Sequence, residues 1–444
     1  MINILRIFRK IFCAEDNSDP VSRACGEWVR SGCSPAAAAL VRTEYRRGRI
    51  DELSALAAVQ ELQYCNDIDE LKERFAVTGR PAGRARDGAE RLDAVFGAIY
   101  GDIIGSKYEG RQIADISDAV SDPMQPACRL TDDSLLTYAT LYTLCGAEKA
   151  EYYRYGISYL DIRRESSYPI RYNPYTDPYR SMAVNFPLAG YGSRFIAWAE
   201  SCDDYPYGSL GNGSAMRVSP VGAWCDDIGD VIEQAAVSAM STHNHIEGVK
   251  GAVVTAVCVW MARNGYSKEQ IFAYMKKHYS YGASTFFLKN FSYKEASSIK
   301  VNQVECSYSV PAAVISFFES RDFMDAIRLS ACVGFDTDTN ACICGAIAGA
   351  YYGISDDVRR VVIKKASETF GRNVFGSFMI GDRIARLRKE NGYSAEQAAE
   401  KAGMPLKKYL NIENCAISAE AANISRIAAV YGADPEEITA GAQA

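Results

Sequence analysis

The sequence predicts an all-α fold, and two observations carry that prediction. Apolar residues recur at helical spacing between glycine-rich joints, whereas the alternation of apolar and polar residues that marks a strand is scarce. Small residues also recur at helical spacing in "GAIYGDIIGSKYEG" and "ACICGAIAGAYYG", which allows helix backbones to approach one another closely. A chain of 444 residues is long enough for two or three domains with a large buried core.

The chain divides into three segments along its length. Residues 1–90 form a predicted helical N-terminal region of unknown role, and the Gly, Pro and Arg content of "TGRPAGRARDG" predicts a linker at its end. Residues 91–371 form the main predicted helical domain, and residues 378–440 alternate short helices with turns, as a small separate domain would. We therefore expect truncation after Gly371 to leave the main domain active.

Composition limits the function classes. The chain is 48% hydrophobic and 23% charged with a formal net charge of −6, which is typical of a soluble globular protein and argues against general nucleic-acid affinity. Its 14 cysteines are scattered without a C-x-x-C pair, which predicts reduced thiols in a cytoplasmic protein. Basic residues interrupt the N-terminal "MINILRIFRKIF", and residues 341–352 are too few to span a bilayer, so we expect neither a signal peptide nor a membrane partner.

Two acidic clusters stand at predicted helix starts. Asp336, Thr337, Asp338 and Thr339 open the stretch "FDTDTNACICGAIAGAYYG". Asp and Thr are favoured helix N-caps, and capping alone accounts for one such residue. Two carboxylates with two hydroxyls carry more charge and oxygen than a cap needs, which suits a hard cation such as Mg²⁺ or Mn²⁺.

The second cluster, in "RLTDDSLLTYA", repeats this pattern far upstream. It consists of Thr131, Asp132 and Asp133, again just before an apolar helix. Either cluster alone is compatible with simple capping, but the pair favours a shared oxygen-rich metal site.

Three further segments are ambiguous on sequence alone. The glycines of "YGSLGNGSAMRVSP" could free backbone N–H groups to cradle phosphate, or could simply form a tight loop. His243 and His245 lack a nearby cysteine pair, which disfavours zinc and leaves a hydrogen-bonding or a packed histidine. The tyrosine-rich residues 168–182 could form an aromatic rim that stacks a planar group of a ligand, or a surface loop.

These segments, taken in order from Asp93 to Gly353, resemble the ADP-ribosylglycohydrolase family, the group of dinitrogenase-reductase-activating glycohydrolases and ADP-ribosyl-acceptor hydrolases. The matching stretches are "GAIYGDIIGSKYEG", "LTDDSLLT", "FPLAGYGSRFIAW", "PYGSLGNGSAMRVSPVG", "STHNH" and "VGFDTDTNACICGAIAGAYYG". Two departures from the family pattern are Phe335, where glycine is usual, and Ser134, where threonine is common.

The resemblance implies an all-α fold with two Mg²⁺ or Mn²⁺ ions. The positions it implies for the metals are Thr131, Asp132, Asp133, Asp336, Asp338 and Thr339. The positions it implies for the diphosphate and ribose are Ser209, Gly211, Asn212, Gly213 and His243. The catalytic positions expected from it are Glu109, Asp132, Asp133 and Asp336, with Glu109 matching a mobile acidic residue near the metals.

The function expected from this likeness is hydrolysis of the ribosyl bond between ADP-ribose and a protein side chain or small acceptor. Cleavage at an anomeric carbon builds oxocarbenium-like charge and needs a delivered water, which metals and a carboxylate can supply. The alternative is an inactive ADP-ribose-binding sensor. Retention of every acidic position favours catalysis over the sensor.

Residues 380–440 resemble the helix-turn-helix domain of Xre and Cro-type repressors, most closely in "IGDRIARLRKENGYSAEQAAEKAGM". The recognition helix is expected to begin near Pro405 and to present Lys407, Lys408 and Asn411. Residues 381–444 contain eight Lys and Arg against nine Asp and Glu, a net charge of −1, which is unfavourable for phosphate contacts. DNA and a protein partner both stay open for this domain.

Overall fold

The structure is a computed structural model that describes residues 19–24, 46, 68–86, 90–111, 122–145, 173–201, 206–279, 303–415 and 419–442. Most of the predicted N-terminal region 1–90 therefore lies outside the described residues. Within them, all regular secondary structure is helical, apart from one isolated antiparallel bridge between Gly211 and Glu305. The all-α prediction is confirmed.

The helices follow one another along the main domain and into the small one. Their bounds are α1 Ile68–Arg74, α2 Leu92–Ser106, α3 Asp132–Leu144, α4 Thr176–Asn185, α5 Ser193–Glu200, α6 Gly213–Met216, α7 Ser219–Trp224, α8 Ile228–Met240, α9 Ile246–Arg263, α10 Lys268–His278, α11 Cys306–Glu319, α12 Phe323–Ala331, α13 Thr337–Tyr352, α14 Asp356–Phe370, α15 Gly376–Glu390, α16 Ala395–Lys401, α17 Leu406–Glu413, α18 Ala421–Tyr431 and α19 Pro435–Thr439. None of the helices in the described ranges combines the length and the apolar character that a bilayer crossing requires.

Helices α2 and α13 are packed antiparallel at the centre of the main domain. Their glycines allow a contact so close that a Cβ atom added at Gly101 would overlap the carbonyl group of Ala341. A Cβ at Gly105 would likewise overlap the backbone of Asp338. The small residues read from the sequence thus bring the last turn of α2 against the first turn of α13, where both helices carry aspartates.

Gly101→Ala should destabilise the main domain by about 1 to 3 kcal/mol, because the new methyl group meets fixed backbone and forces the two helices apart. Chemical denaturation measures this free energy of unfolding. Gly192→Ala is the matched control, since Gly192 has an ordinary φ of −60° and open space around its Cα. The control should change stability by less than about 0.5 kcal/mol. Equal stability of the two variants would contradict the close helix contact.

Two hydrophobic cores meet in helix α15. Phe375, Phe378 and Met379 are buried in the core of the main domain, where the Phe375 ring packs 5.0 Å from Phe96. One turn later, Ile384 is buried in a second core formed with α16 to α19. Helix α15 therefore belongs to both parts of the chain.

An aspartate of α15 also completes a helix of the main domain. Asp382 accepts hydrogen bonds from the backbone N–H groups of Arg91 and Leu92, at 3.1 and 3.0 Å, and so caps the start of α2. It also forms a buried ion pair with the Arg91 guanidinium at 2.9 Å. The main domain therefore relies on contacts with residues beyond Gly371. This argues against the expectation that truncation after Gly371 leaves the main domain active.

The small domain consists of short helices separated by turns, as predicted. Its third helix, α17, begins at Leu406 directly after Pro405, as the sequence indicates. Arg388 and Glu413 join α15 to α17 through two parallel hydrogen bonds of 2.8 and 2.7 Å. The C-terminal end of α17 faces the main domain, because the Arg91 guanidinium donates to the Glu413 carbonyl, whereas Lys407 at the other end is exposed.

Candidate active site

Three buried carboxylates from three helices meet at one point. Asp102 lies in the last turn of α2, Asp133 in the first turn of α3 and Asp338 in the first turn of α13. One oxygen of each lies within 4.8 Å of the others. Asp133 and Asp338 come from the two clusters predicted from the sequence, which the fold therefore brings together.

Asp102 is the member that the sequence reading missed. Its Oδ1 accepts from the Thr131 hydroxyl at 2.7 Å, and its Oδ2 accepts from the backbone N–H groups of Thr131 and Ser134 at 2.9 and 3.2 Å, and from the Ser134 hydroxyl. The available signal was one acidic residue inside the apolar stretch "AIYGDIIG", because an acid is rarely fully buried without a specific role. Asp102 fixes the start of α3 and adds a third negative charge to the site.

The remaining oxygens of the cluster suit a hard cation. Thr131 and Thr339 place their hydroxyls 3.3 and 3.4 Å from Asp133 Oδ2, while Asp133 Oδ1 is buried with no hydrogen-bond partner in the described part of the chain. An unpaired carboxylate oxygen beside another carboxylate, from Asp338, is costly unless a proton or a cation compensates its charge. The donor set contains only carboxylate and hydroxyl oxygens, which Mg²⁺ and Mn²⁺ prefer.

Asp336 tests the capping interpretation of its cluster. It occupies the N-cap position of α13, yet its side chain caps no backbone N–H group. Its Oδ2 instead accepts from the Asn212 side-chain amide at 2.6 Å, and the same amide donates to the Ser309 hydroxyl at 2.8 Å. In the other cluster, Thr131 does cap α3 by accepting from the Asp133 N–H group at 3.3 Å. Capping thus accounts for Thr131 but not for Asp336, whereas Asp338 Oδ1 accepts from the Thr339 N–H group at 2.9 Å within the first turn of α13.

Burial and mutual repulsion shift the acidic groups in one direction. Burial raises the pKa of Asp102 to about 6, and burial together with the charge of Asp102 raises the pKa of Asp132 to about 8. Burial first, and neighbouring carboxylates second, raise the pKa values of Asp133 and Asp338 well above the ordinary range. Burial also raises the pKa of Asp336, against the opposing hydrogen bond from Asn212. The folded, metal-free site therefore favours the protonated form of these carboxylates over the charged form.

The contribution of these carboxylates to the free energy of unfolding of metal-free protein should therefore fall as the pH rises from about 4 to about 8. An acid whose folded pKa is raised binds its proton more tightly in the folded state, so stability declines between the ordinary pKa and the raised values near 6 and 8. Saturating Mg²⁺ should flatten this decline, because the cation favours the charged carboxylates. Denaturant titrations at several pH values test this, and an identical pH dependence with and without Mg²⁺ would count against a cation site.

Glu109 lies near the acidic site at an exposed position. Its charge adds to the raised pKa values of Asp132 and Asp338. The turn that carries it is held by two backbone hydrogen bonds, from Gly110 N–H to the Phe335 carbonyl at 2.6 Å and from Phe335 N–H to the Arg111 carbonyl at 2.8 Å. Phe335 has a φ of +59°, a conformation that glycine adopts more easily. The backbone before Asp336 therefore fixes the position of the Glu109 turn.

The glycine-rich loop lies between the acidic site and His243. Ser209 accepts from the Gly211 N–H group at 3.2 Å, and the Asn212 N–H group donates to the Val304 carbonyl at 2.8 Å, so these two amides are not available to phosphate. A Cβ atom at Gly213 would lie 3.2 Å from the Nε2 and Cε1 atoms of the His243 ring. The loop needs glycine there so that the backbone can approach this histidine.

His243 is nearly fully buried beside the loop. Its Nδ1 is 2.7 Å from the Thr242 hydroxyl, and burial together with the nearby Arg217 and Arg194 holds its pKa well below the usual range. His245 instead caps α9 by accepting from the Glu247 N–H group at 3.1 Å. The two histidines thus have separate roles, in agreement with the sequence argument against zinc.

The segment that follows α4 lies next to Asp132. Asp132 donates its backbone N–H to the Ala189 carbonyl at 3.1 Å, and a Cβ at Gly190 would lie 3.6 Å from the Asp132 carboxylate. The tyrosine-rich segment before it forms neither a rim nor a surface loop where it is described. Tyr175 and Tyr179 are fully buried around α4, and residues 168–172 lie outside the described residues.

The chain is similar to known proteins over most of its length. A family model described as ADP-ribosylglycohydrolase matches residues 85–397, and one described as a helix-turn-helix domain matches residues 380–440. ADP-ribosylhydrolase ARH3 of Bos taurus is 26% identical over 339 residues, covering 62% of this chain and 87% of that protein. ADP-ribosylarginine hydrolase Tri1 of Pseudomonas putida is 25% identical over 270 residues, covering 59% of this chain and 70% of that protein. A solved structure titled "ADP-ribosylglycohydrolase-related protein complex" aligns with a TM-score of 0.45 and 19% identity, covering 74% of this chain and 98% of that one.

Proposed function

The chain belongs to the ADP-ribosylglycohydrolase family, and we propose that it hydrolyses the ribosyl bond between ADP-ribose and a protein side chain or small acceptor with two divalent ions bound at the acidic site. The observation that carries the proposal is the buried cluster of Asp102, Asp133 and Asp338, whose charge and unpaired oxygen call for a cation. The names of the ARH3 and Tri1 relatives support ADP-ribosyl hydrolysis as the reaction class.

The residues that would hold Mg²⁺ or Mn²⁺ are those of the two sequence clusters together with the carboxylate from α2. They are Thr131, Asp132, Asp133, Asp336, Asp338 and Thr339, with Asp102 beside them. When bound, such ions supply Lewis-acid charge that orients ribose hydroxyls and acidifies water. Asp102 already accepts four hydrogen bonds, so we assign it chiefly to the placement of Thr131 and Ser134.

The side chains supply proton transfer and positioning. Water adds to the anomeric carbon, the bond to the acceptor breaks, and the acceptor leaves with a proton, through a transition state with oxocarbenium character. In this proposal Glu109 takes the proton of that water, which its exposure and its electrostatic effect on Asp132 and Asp338 support. Asn212 connects the proposed substrate-binding loop to the acidic site. It lies in the glycine-rich loop, and its side-chain amide donates a hydrogen bond to Asp336.

Glu109→Gln should lower turnover at saturating substrate more than it lowers ADP-ribose affinity. The expected loss is about 100-fold or more, since a general base contributes to the transition state and not to ground-state binding. Steady-state kinetics with calorimetric titration of ADP-ribose separate the two effects. Unchanged turnover with weakened binding would move Glu109 from proton transfer to substrate binding.

The acceptor is tested with a matched panel of ADP-ribosylated arginine peptide, ADP-ribosylated serine peptide and a small ADP-ribose conjugate, each supplied with Mg²⁺. Release of free ADP-ribose from at least one substrate is the expected result, and the ratio of kcat/KM values identifies the acceptor class. ADP-ribose binding without release from any substrate would favour the alternative, a sensor that uses the same site without catalysis.

We propose DNA or a protein as the partner of the helix-turn-helix domain. Lys407 is exposed and Lys408 half-buried at the outward end of α17, which favours contact with phosphate, whereas the net charge of −1 favours protein docking. Lys407→Glu combined with Lys408→Glu distinguishes the two. If DNA is bound, binding should fall steeply with salt and be lost in this variant, whereas a docking role predicts no DNA binding even at low salt.

A further inference from the structure

A fully buried arginine lies close to His243, and the described part of the chain places no carboxylate in an ion pair with it. This residue, Arg217, follows the glycine-rich loop. Its Cζ atom lies 4.0 Å from the centroid of the Tyr179 ring, which favours the cation through the electron density of the ring. A buried charge is costly, so a specific use for this guanidinium is expected.

The Arg217 guanidinium is tied to the end of α8 and to the residue before His243. Its Nη2 carries two hydrogens and lies 3.0 Å from the Ser238 carbonyl, 3.3 Å from the Ser241 hydroxyl and 2.8 Å from the Thr242 hydroxyl, which is the shortest of the three contacts. Nε and Nη1 have no hydrogen-bond partner in the described part of the chain. The Ser241 hydroxyl itself donates to the Ser238 carbonyl at 2.8 Å. The Nη2 end of the guanidinium is thus held by acceptors that all belong to residues 238–242.

The direction of the next hydrogen bond follows from these donors. A guanidinium can only donate, so the Thr242 hydroxyl accepts from Arg217 and has one hydrogen left to give. His243 Nδ1, at 2.7 Å, is the acceptor that the structure shows for it. If Nδ1 carried a proton instead, the buried Thr242 hydrogen would have no acceptor within the described ranges, which costs free energy.

We infer that Arg217 and Thr242 are positioning residues that hold His243 as the neutral tautomer protonated on Nε2. This inference rests on the proposed function, because it assigns the Nε2–H group to a phosphate or ribose oxygen of an ADP-ribose substrate. Nε2 faces the glycine-rich loop, where Cβ atoms added at Gly211 and Gly213 would lie 3.7 and 3.2 Å from it. No protein acceptor for this nitrogen occurs among the described residues.

The surroundings of His243 keep it neutral as well as oriented. The charged groups that act on it are Arg217 and Arg194, both of which disfavour a second proton, and burial acts in the same direction. The Tyr207 ring, 6.0 Å from the imidazole, covers a further side. A neutral donor of fixed direction can bind an oxygen without drawing the imidazole into the acid–base chemistry of the carboxylates.

The chain has only three histidines, so ¹⁵N-histidine NMR of the full-length protein reads this tautomer directly. We expect His243 to show unprotonated Nδ1 and protonated Nε2 between about pH 6 and pH 8, where a free imidazole would titrate. Thr242→Val should shift Nδ1 towards protonation and weaken ADP-ribose binding about tenfold, with a smaller effect on turnover at saturation. Thr242→Ser, which keeps the hydroxyl, should restore both properties.

Thr255→Val is the matched control, because Thr255 is also buried and its hydroxyl has no hydrogen-bond partner in the described chain. It should leave the His243 spectrum and ADP-ribose binding unchanged. A wild-type His243 protonated on Nδ1, or a Thr242→Val variant with unchanged spectrum and affinity, would overturn the inference. If wild-type protein does not bind ADP-ribose, the proposed function fails, while the tautomer in the free protein still decides the roles of Arg217 and Thr242.

Discussion

Asp338→Asn is expected to abolish hydrolysis, with a loss of at least about a hundredfold, while the protein stays folded. Asp338 shares a buried site with Asp102 and Asp133, and a cation there depends on the number of charged oxygens. Replacing even a partner of a metal ligand typically costs ten- to a hundredfold, so loss of a ligand charge should cost more. The amide keeps the size of the side chain, so α13 should pack as before.

The same variant has a distinctive stability signature. Removing one of three mutually repelling carboxylates should make the metal-free protein as stable as wild type or more stable, while the gain in melting temperature on adding Mg²⁺ should shrink or disappear. Thermal melts with and without Mg²⁺ measure both effects. Asp357→Asn, at a side chain that is 84% exposed, is the control and should match wild type. Near wild-type turnover of Asp338→Asn without added metal would contradict the metal site.

Asp382→Ala should destabilise the main domain by about 3 to 5 kcal/mol, because Asp382 lies in helix α15, which the two parts of the chain share. The change leaves the Arg91 guanidinium, 12% exposed, without its partner, and removes the cap of α2. Because α2 carries Asp102, we expect activity to fall with stability. Denaturant unfolding followed by hydrolysis at matched folded fraction measures both.

Asp357→Ala is the control for this change, because its ion pair with Arg360 is exposed and should contribute almost nothing. Truncation after Gly371 removes Phe375, Phe378 and Asp382 together and should prevent stable folding of the main domain. A truncated chain with wild-type stability and activity would show instead that the two parts are independent.

The sequence predicted parts of the candidate site that are local in the chain, and the structure brings two of the predicted aspartates, Asp133 and Asp338, into a cluster with Asp102. Asp132, Asp133, Asp336 and Asp338 stand beside hydroxyls at helix starts, and this pattern is visible without a structure. The all-α class followed from the same kind of local periodicity. Local patterns carry such features because capping and helical spacing act over a few residues.

The remaining features depend on contacts between distant residues. Asp102 joins the site only because the glycines of α2 allow contact with α13. Arg217 and His243 are 26 positions apart in the sequence. They come together because the segment with Arg217 packs against the end of α8. The sequence also did not predict that helix α15 is shared. The periodicity of residues 376–390 indicates a helix, but it does not show that the two ends of this helix are buried in different cores.

The central claim is that the acidic site performs metal-dependent hydrolysis, and the most direct measurement is the rate of ADP-ribose release as Mg²⁺ is titrated into chelator-treated full-length protein. We predict no release before Mg²⁺ is added, a saturable rise with Mg²⁺ on at least one ADP-ribosylated substrate, and no rise for Asp338→Asn. Release that is indifferent to chelator, or tight ADP-ribose binding without release at any Mg²⁺ concentration, would contradict the claim.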